Sequence, residues 1–80
     1  MDVIDSHMSR LQSVLAENVR TERLRAGISQ ELLALEAGID RTYISKIERR
    51  QGNPSLLVLT KIAVRLGVGV VDLMTDKLPK

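Results

Sequence analysis

The chain of 80 residues has no cysteine, tryptophan or phenylalanine and only one tyrosine. The absence of cysteine excludes a disulfide and a thiolate metal site, and it is typical of a protein from a reducing compartment. Because only 1% of the residues are aromatic while 44% are hydrophobic, the core must consist of aliphatic side chains. We therefore expect an all-α bundle, and this chain length predicts one domain without a separate ligand-sensing unit.

Long apolar segments and a strong net charge are also absent. No run approaches the roughly 20 apolar residues of a membrane span, and the first residues lack the basic and then apolar order of a signal peptide. We expect a cytoplasmic, nucleoid-associated protein with no membrane contact. The net charge of +2 does not by itself indicate nucleic-acid binding. Several cations nevertheless cluster within a short segment, where the ordinary interpretation is a solvated face: Arg41, Lys46, Arg49 and Arg50.

Residues 29–48 predict two short helices joined by a tight turn. Ser29 is a good N-cap for a first helix over Gln30–Ala37, and Gly38 can adopt the left-handed conformation that ends it. Asp40 can cap a second helix that begins at Arg41. The positions that two crossing helices bring together are small or apolar: Ala34, Gly38, Ile39, Ile44 and Ile47.

The second helix of this pair carries polar side chains on the stripe opposite its apolar residues. The stripe follows helical spacing and consists of Arg41, Thr42, Ser45, Lys46 and Arg49. A helix in the major groove of DNA reads base edges with its N-terminal residues, so Arg41 and Thr42 are the first candidates for base contact. Ser45 and Lys46 follow one turn later.

Sequence alone leaves the exact contacts of several of these residues open. Arg41 can bind a guanine through two hydrogen bonds, touch only phosphate, or pair with Asp40 in the free protein. Thr42 can pack on a thymine methyl group or bind phosphate. Tyr43 can place its hydroxyl on a phosphate or its ring in the core. Arg49 and Arg50 are phosphate candidates by charge, although a solvated loop has the same composition.

The sequence before the motif predicts an irregular arm and one helix. Residues 1–8 show no clear period, so we expect the folded domain over residues 9–76 and a tail over residues 77–80. The first helix is expected to begin near Ser9 and to end at Gly27. Its core-facing residues follow helical spacing: Leu11, Leu15 and Val19.

The sequence after the motif predicts two more helices. Asn53 or Ser55 caps the fourth helix, since Pro54 keeps the preceding loop from continuing helically. Its buried face is expected to contain Leu56, Leu59, Ile62, Ala63 and Leu66. The last helix, from about Val70 to Thr75, has more apolar surface than one core contact hides, so it is expected to form a dimer interface. The residues concerned are Val70, Val71, Leu73 and Met74, and the alternative is that all of them pack against the first helix.

The segment from Leu15 to Leu73 resembles the helix-turn-helix regulators of the Cro/C1/Xre type. The residues at the spacing of that family's motif are Gln30, Ala34, Gly38, Ile44 and Ile47. Arg23 before the motif, Glu48 at its end and the residues Asn53, Pro54, Ser55 and Leu56 extend the match. The string DRTYIS at residues 40–45, followed by IER at residues 47–49, is similar to small controller proteins of restriction-modification systems.

This resemblance implies a compact five-helix bundle with a lambda-repressor-like fold, acting as a homodimer on double-stranded DNA. It also implies a structural salt bridge between Arg23 and Glu48, and phosphate contacts from Gln30 and Asn53. The chain departs from the family pattern where Arg50 takes the place of a frequent glycine. We expect Gly52 to make that turn instead, because positive φ is costly for other residues. Gly69 is expected to be a weak cap for the last helix, where relatives often have serine or threonine.

The resulting prediction is a transcriptional regulator that binds a palindromic operator and controls its own gene or a restriction-modification operon. RNA polymerase or another protein is a further candidate partner. The alternative is an antitoxin-like interaction module in which DNA binding is secondary. We expect no enzyme, no cofactor and no metal site, since the sequence has one histidine, no glycine-rich phosphate loop and no isolated carboxylate pair.

Overall fold

Residues 2–77, which the computed structural model describes, form five α-helices in sequence. Their bounds are α1 (Val3–Arg25), α2 (Gln30–Ala37), α3 (Arg41–Glu48), α4 (Leu56–Leu66) and α5 (Val70–Met74). The predicted all-α five-helix architecture is therefore confirmed. The bounds of α2 and the first residue of α3 are those expected from the sequence.

Aliphatic side chains from all five helices meet in one core. Helix α1 packs against α3 and α5, while α2 packs against α3 and α4, and α4 also contacts α5. The fully buried side chains at the centre are Val19, Leu33, Ile44, Ile47, Ile62 and Leu73. Two of these residues belong to α3, so the core holds the inner face of this helix in place. The outer face of α3 is exposed to solvent.

Side-chain caps determine where the helices of the motif begin. The Ser29 hydroxyl accepts a hydrogen bond from the Leu32 backbone N–H at 3.0 Å, and Gly38 ends α2 with a φ of 73°. Helix α4 is capped by Ser55, whose hydroxyl accepts from the Val58 N–H at 3.1 Å. Of the two caps considered for α4, the structure therefore uses the serine.

The prediction of an irregular arm over residues 1–8 is wrong for residues 3–8, which belong to α1. The Asp2 carboxylate caps this helix by accepting from the Asp5 N–H at 2.8 Å. Ile4 and Met8 also continue the stripe of Leu15 at helical spacing, so a helical period exists there. Ile4 nevertheless remains 73% exposed. Of the predicted tail, residues 78–80 lie outside the described residues, as does Met1.

Two residues expected in the core are exposed instead. Leu56 is 71% exposed and Leu11 is 44% exposed, whereas Leu15, Val19 and Ile62 are buried as expected. Helical periodicity identifies the apolar face correctly in α1 and α4. It does not indicate how far along that face a partner helix extends.

Candidate nucleic-acid interface

The outer face of α3 presents the polar stripe predicted from the sequence, except for Arg49, which follows the last residue of the helix. Ile44 and Ile47 are buried beneath it and hold the helix against α1 and α2. Arg41, Thr42 and Lys46 are exposed on the opposite side, and their neighbour on this stripe, Ser45, is half-buried. The stripe therefore consists of side chains that can donate hydrogen bonds, on a helix whose position is fixed by the core.

Asp40 caps the N-terminus of α3 and leaves Arg41 available. Its carboxylate accepts a hydrogen bond from the Thr42 backbone N–H at 2.7 Å. This hydrogen bond lowers the pKa of the Asp40 carboxyl below its ordinary value. Within residues 2–77 no ion pair involves Arg41, so the alternative of an Asp40–Arg41 pair is not observed in the free protein.

A groove runs between the N-terminal half of α3 and the loop that follows the helix. Its walls include Thr42, Tyr43, Lys46, Gln51 and Asn53. The structure thus brings Tyr43 and Asn53, two predicted phosphate contacts, to one groove beside the predicted base-reading residues. Tyr43 is half-buried and packs against the core, so its ring supports the fold while the residue also borders the groove.

Arg49 and Arg50 follow the last residue of α3 and lie beside α1. Together with Arg20 and Glu17 of α1 they line a separate shallow depression. The Arg49 Nε donates a hydrogen bond to the Ser45 carbonyl oxygen at 3.3 Å. The structure therefore places these two arginines beside α1, apart from the groove that holds Tyr43 and Asn53.

The expectation that Gly52 makes the turn after α3 is wrong. Arg50 has a φ of 64°, and it is the one residue other than glycine with positive φ among the described residues. Gly52 serves a different purpose, because a Cβ atom there would lie 2.7 Å from Ile47 Cγ1 and 3.0 Å from Ile47 Cα. The loop can pass this close to buried Ile47 only with glycine at position 52.

Gln12 of α1 also holds this loop, a role that the sequence analysis missed. Its side-chain Nε2 donates a hydrogen bond to the Gly52 carbonyl oxygen at 2.9 Å. The two residues are 40 positions apart, so no local spacing rule could have paired them. The contact connects α1 to the loop that carries Asn53.

Arg23 and Glu48 form the ion pair that the family resemblance implies. The guanidinium donates from Nε to Glu48 Oε2 at 2.7 Å and from Nη2 to Oε1 at 2.9 Å. The side chains are only 11% and 3% exposed, respectively. The hydrogen bond to Glu48 raises the pKa of the Arg23 guanidinium, which therefore keeps its positive charge. The ion pair joins the end of α1 to the end of α3.

Gln30, the predicted phosphate contact at the start of α2, also reaches this ion pair. Its Nε2 atom donates a hydrogen bond to Glu48 Oε1 at 3.2 Å. The residue is half-buried, unlike the exposed side chains at the start of α3. The resemblance placed Gln30 and Glu48 in separate roles, whereas the structure joins them.

The predicted dimer surface needs one correction. Leu73 is fully buried in the core of its own chain, so it is not available to a partner. Val70 and Met74 are half-buried against the same core, while Val71 is 77% exposed. The cap at Gly69 is weak as expected, because glycine offers no side-chain oxygen, and the Asp72 carboxylate instead accepts from the Gly69 N–H at 2.8 Å.

Two further properties of the described residues bear on function. No helix there is both long enough and apolar enough to cross a lipid bilayer. Among the same residues, no three histidine, cysteine, aspartate or glutamate side chains are grouped so that they could hold a metal ion.

Comparison with known proteins places the motif in a family. Residues 19–73 match the family model described as Helix-turn-helix. The chain is 45% identical over 64 residues to the Neisseria hypothetical transcription factor from Neisseria meningitidis serogroup B. The aligned segment covers 80% of this chain and 60% of that protein. It is 42% identical over 65 residues to the control protein C.SmaI from Serratia marcescens, covering 81% of this chain and 77% of that one.

A solved structure extends the similarity to the fold. The restriction-modification controller protein C.AhdI from Aeromonas hydrophila superimposes with a TM-score of 0.74 at 35% sequence identity. The superposition covers 78% of this chain and 94% of the C.AhdI chain. The five-helix arrangement is therefore shared over nearly the whole of that controller protein.

Proposed function

The chain belongs to the helix-turn-helix family of DNA-binding regulators, and we propose that it acts as a homodimer on a palindromic operator. The observation that carries this proposal is the exposed stripe of α3, whose donors stand on a helix fixed by Ile44 and Ile47. Because Arg41 has no ion pair within residues 2–77, its guanidinium meets DNA without first breaking a salt bridge.

Helix α3 enters the major groove with its N-terminus leading. Arg41 binds O6 and N7 of one guanine, a contact that discriminates against other bases by about 1 to 3 kcal/mol. Thr42, Ser45 and Lys46 contact the neighbouring base edges. In a dimer the two copies of α3 enter successive major grooves about 34 Å apart, so the half-sites are centred about 10 bp apart.

Phosphate contacts surround this helix and fix its register on the duplex. The groove beside α3 receives one strand, with Tyr43 and Asn53 as donors. Gln30 binds a phosphate at the start of α2, where backbone N–H groups also favour an anion. Arg49 and Arg50 contribute at the edge nearer α1, where their charge strengthens binding independently of sequence.

The similarity to C.SmaI and C.AhdI supports a role for this chain in a restriction-modification operon, including control of its own gene. A dimer bound next to a promoter regulates by contacting or blocking RNA polymerase. Regulation of this kind needs no chemistry at the protein, so we assign no enzymatic activity. The function places the protein in the cytoplasm, at the nucleoid.

The proposal is tested by fluorescence-anisotropy binding to DNA from upstream of the protein's own gene, with scrambled DNA for comparison. Wild-type protein is expected to prefer the upstream DNA by about 10³-fold or more. Arg41→Ala should remove most of that preference but retain salt-dependent residual binding. Lys61→Ala is the control, because Lys61 is an exposed cation on α4, which does not border the α3 groove.

Equal and weak binding of the wild type to both DNAs would contradict sequence-specific readout at this site. Retention of full preference by Arg41→Ala would contradict the assigned role of the arginine. Selection of the preferred site from random DNA provides the remaining test. A single half-site bound by one subunit, instead of two half-sites about 10 bp apart, would contradict the palindromic operator.

A further inference from the structure

We propose that Glu48 is a positioning residue for DNA binding, which holds the Gln30 side chain in the orientation that binds phosphate. The inference rests on the proposed function, since it assigns a cause to the phosphate contact of Gln30. Its basis is the hydrogen bond from Gln30 Nε2 to Glu48 Oε1 at 3.2 Å. Glu48 thus serves both the ion pair with Arg23 and the surface that meets DNA.

The chemistry of the two side chains determines which way the amide faces. A carboxylate only accepts hydrogen bonds, so the Gln30 amide must turn its nitrogen, and not its oxygen, toward Glu48. The same nitrogen carries a second N–H, which this contact leaves available for a phosphate oxygen. A side chain already held in its binding orientation loses less conformational freedom when DNA binds.

The ion pair with Arg23 allows the Glu48 carboxylate to lie close to a DNA phosphate. An isolated carboxylate beside the phosphate position would repel DNA, whereas two hydrogen bonds from Arg23 compensate the charge of Glu48. Arg23 Nη1 also donates to the Ile28 carbonyl oxygen at 2.9 Å, in the loop that leads into α2. The same two charged residues therefore fix the start of α2 and the amide on its first residue.

Side-chain dynamics of the free protein give the first test, which needs no variant and no DNA. The ¹⁵N order parameter of the Gln30 side-chain amide should be clearly above about 0.6, toward the roughly 0.85 of a rigid backbone. Gln51, exposed in the loop after α3, is the internal control and should be below about 0.6. An order parameter for Gln30 as low as that of Gln51 would overturn the proposal.

A double-mutant cycle on DNA binding gives the second test. Gln30→Met preserves the length of the side chain, removes its hydrogen bonds, and should weaken operator binding about 3- to 10-fold. Glu48→Gln gives a neighbour that can also donate, which lets the Gln30 amide turn over. It should weaken binding by a similar factor in the wild-type background and by much less in the Gln30→Met background. All four proteins are compared at a temperature where circular dichroism shows them folded.

The outcomes separate positioning from a purely structural role. If Glu48→Gln weakens binding by the same factor in both backgrounds, Glu48 acts on the fold alone and the proposal is overturned. If Glu48→Gln does not fold, the order parameter of wild-type Gln30 decides the question. Failure of the proposed function is recognised separately, because the wild type itself would then show no preference for any DNA.

Discussion

At the scale of single residues, the Arg23–Glu48 pair is where one substitution should cost most stability. Removing one partner of a buried ion pair leaves the other charge without compensation, which destabilises a protein by about 3 to 5 kcal/mol. Because the Glu48 side chain is only 3% exposed, Glu48→Ala should lower the free energy of unfolding by about 3 kcal/mol. Urea denaturation followed by circular dichroism measures this loss.

The matched control for this prediction removes both charges together. Arg23→Met combined with Glu48→Leu replaces the pair by apolar side chains, and it should cost less than Glu48→Ala alone because no charge is left buried. A loss below about 1 kcal/mol for Glu48→Ala would contradict the structural role assigned to the pair.

Asp40 predicts a pH dependence of stability at the start of α3. The hydrogen bond from the Thr42 N–H lowers the pKa of Asp40 in the folded state. A carboxylate whose pKa is lower in the folded state than in the unfolded state stabilises the fold at pH values above the unfolded-state pKa. This stabilisation is lost as the pH falls through the folded-state pKa. Asp40→Asn retains a capping oxygen but does not titrate there.

The comparison of thermal unfolding midpoints between wild type and Asp40→Asn isolates this effect. The wild type should have its largest advantage between about pH 5 and pH 7, and the advantage should shrink below about pH 4. The other carboxylates titrate in both proteins and cancel in the difference. A difference that stays constant down to pH 2.5 would show that the charge of Asp40 does not contribute to the cap.

At the scale of the elements, the turn that follows α3 contains the one strained residue among those described. Arg50 has a φ of 64°, a conformation that costs an L-residue about 1 kcal/mol more than glycine. Arg50→Gly should therefore raise the free energy of unfolding by about 0.5 to 1 kcal/mol. The same substitution at Arg49, where φ is −89°, is the control and should lower it. A lower urea midpoint for Arg50→Gly would contradict strain at this position.

Local rules predicted the elements well wherever the cause of the structure is local. Ser29, Gly38 and Asp40 determine the bounds of the motif through contacts within four residues, so their roles were readable from the sequence. Gly52 was assigned the wrong role because its cause is the proximity of Ile47 across the turn, which no propensity expresses. The first two turns of α1 were missed because only Asp2 and a sparse apolar stripe indicate them.

The candidate site shows the same division between local and distant causes. Helical spacing sufficed to place Arg41, Thr42 and Lys46 on one exposed stripe. The contacts of Gln12 with the loop and of Gln30 with Glu48 could not be predicted, because they join residues from different helices. Periodicity also could not show that Leu73 is buried within its own chain, since a five-residue helix has too few positions to separate an inner from an outer face.

At the scale of the whole molecule, the proposed homodimer needs a surface that joins two copies. Helix α5 buries Leu73 and leaves Val71 77% exposed, with Val70 and Met74 half-buried beside it. An 80-residue domain buries little apolar surface, so covering this face in a dimer would add to its stability. The proposed operator also requires two copies of α3 held at a fixed separation.

Val71→Glu should therefore separate the subunits without unfolding them, because the side chain lies outside the core. Sedimentation velocity at micromolar concentration should show the wild type as a dimer and Val71→Glu as a monomer. Val64→Glu is the matched control, since Val64 is a valine with 75% exposure on α4, and it should remain dimeric.

DNA binding connects this change of assembly to function. A monomer binds each half-site alone and loses the gain in effective concentration that links the two contacts in a dimer. Val71→Glu should therefore bind the two-half-site operator at least 10²-fold more weakly than the wild type, while both bind an isolated half-site equally. If Val71→Glu stays dimeric and Val64→Glu does not, the interface lies on α4, and the separation of the two α3 helices must be set by that face instead.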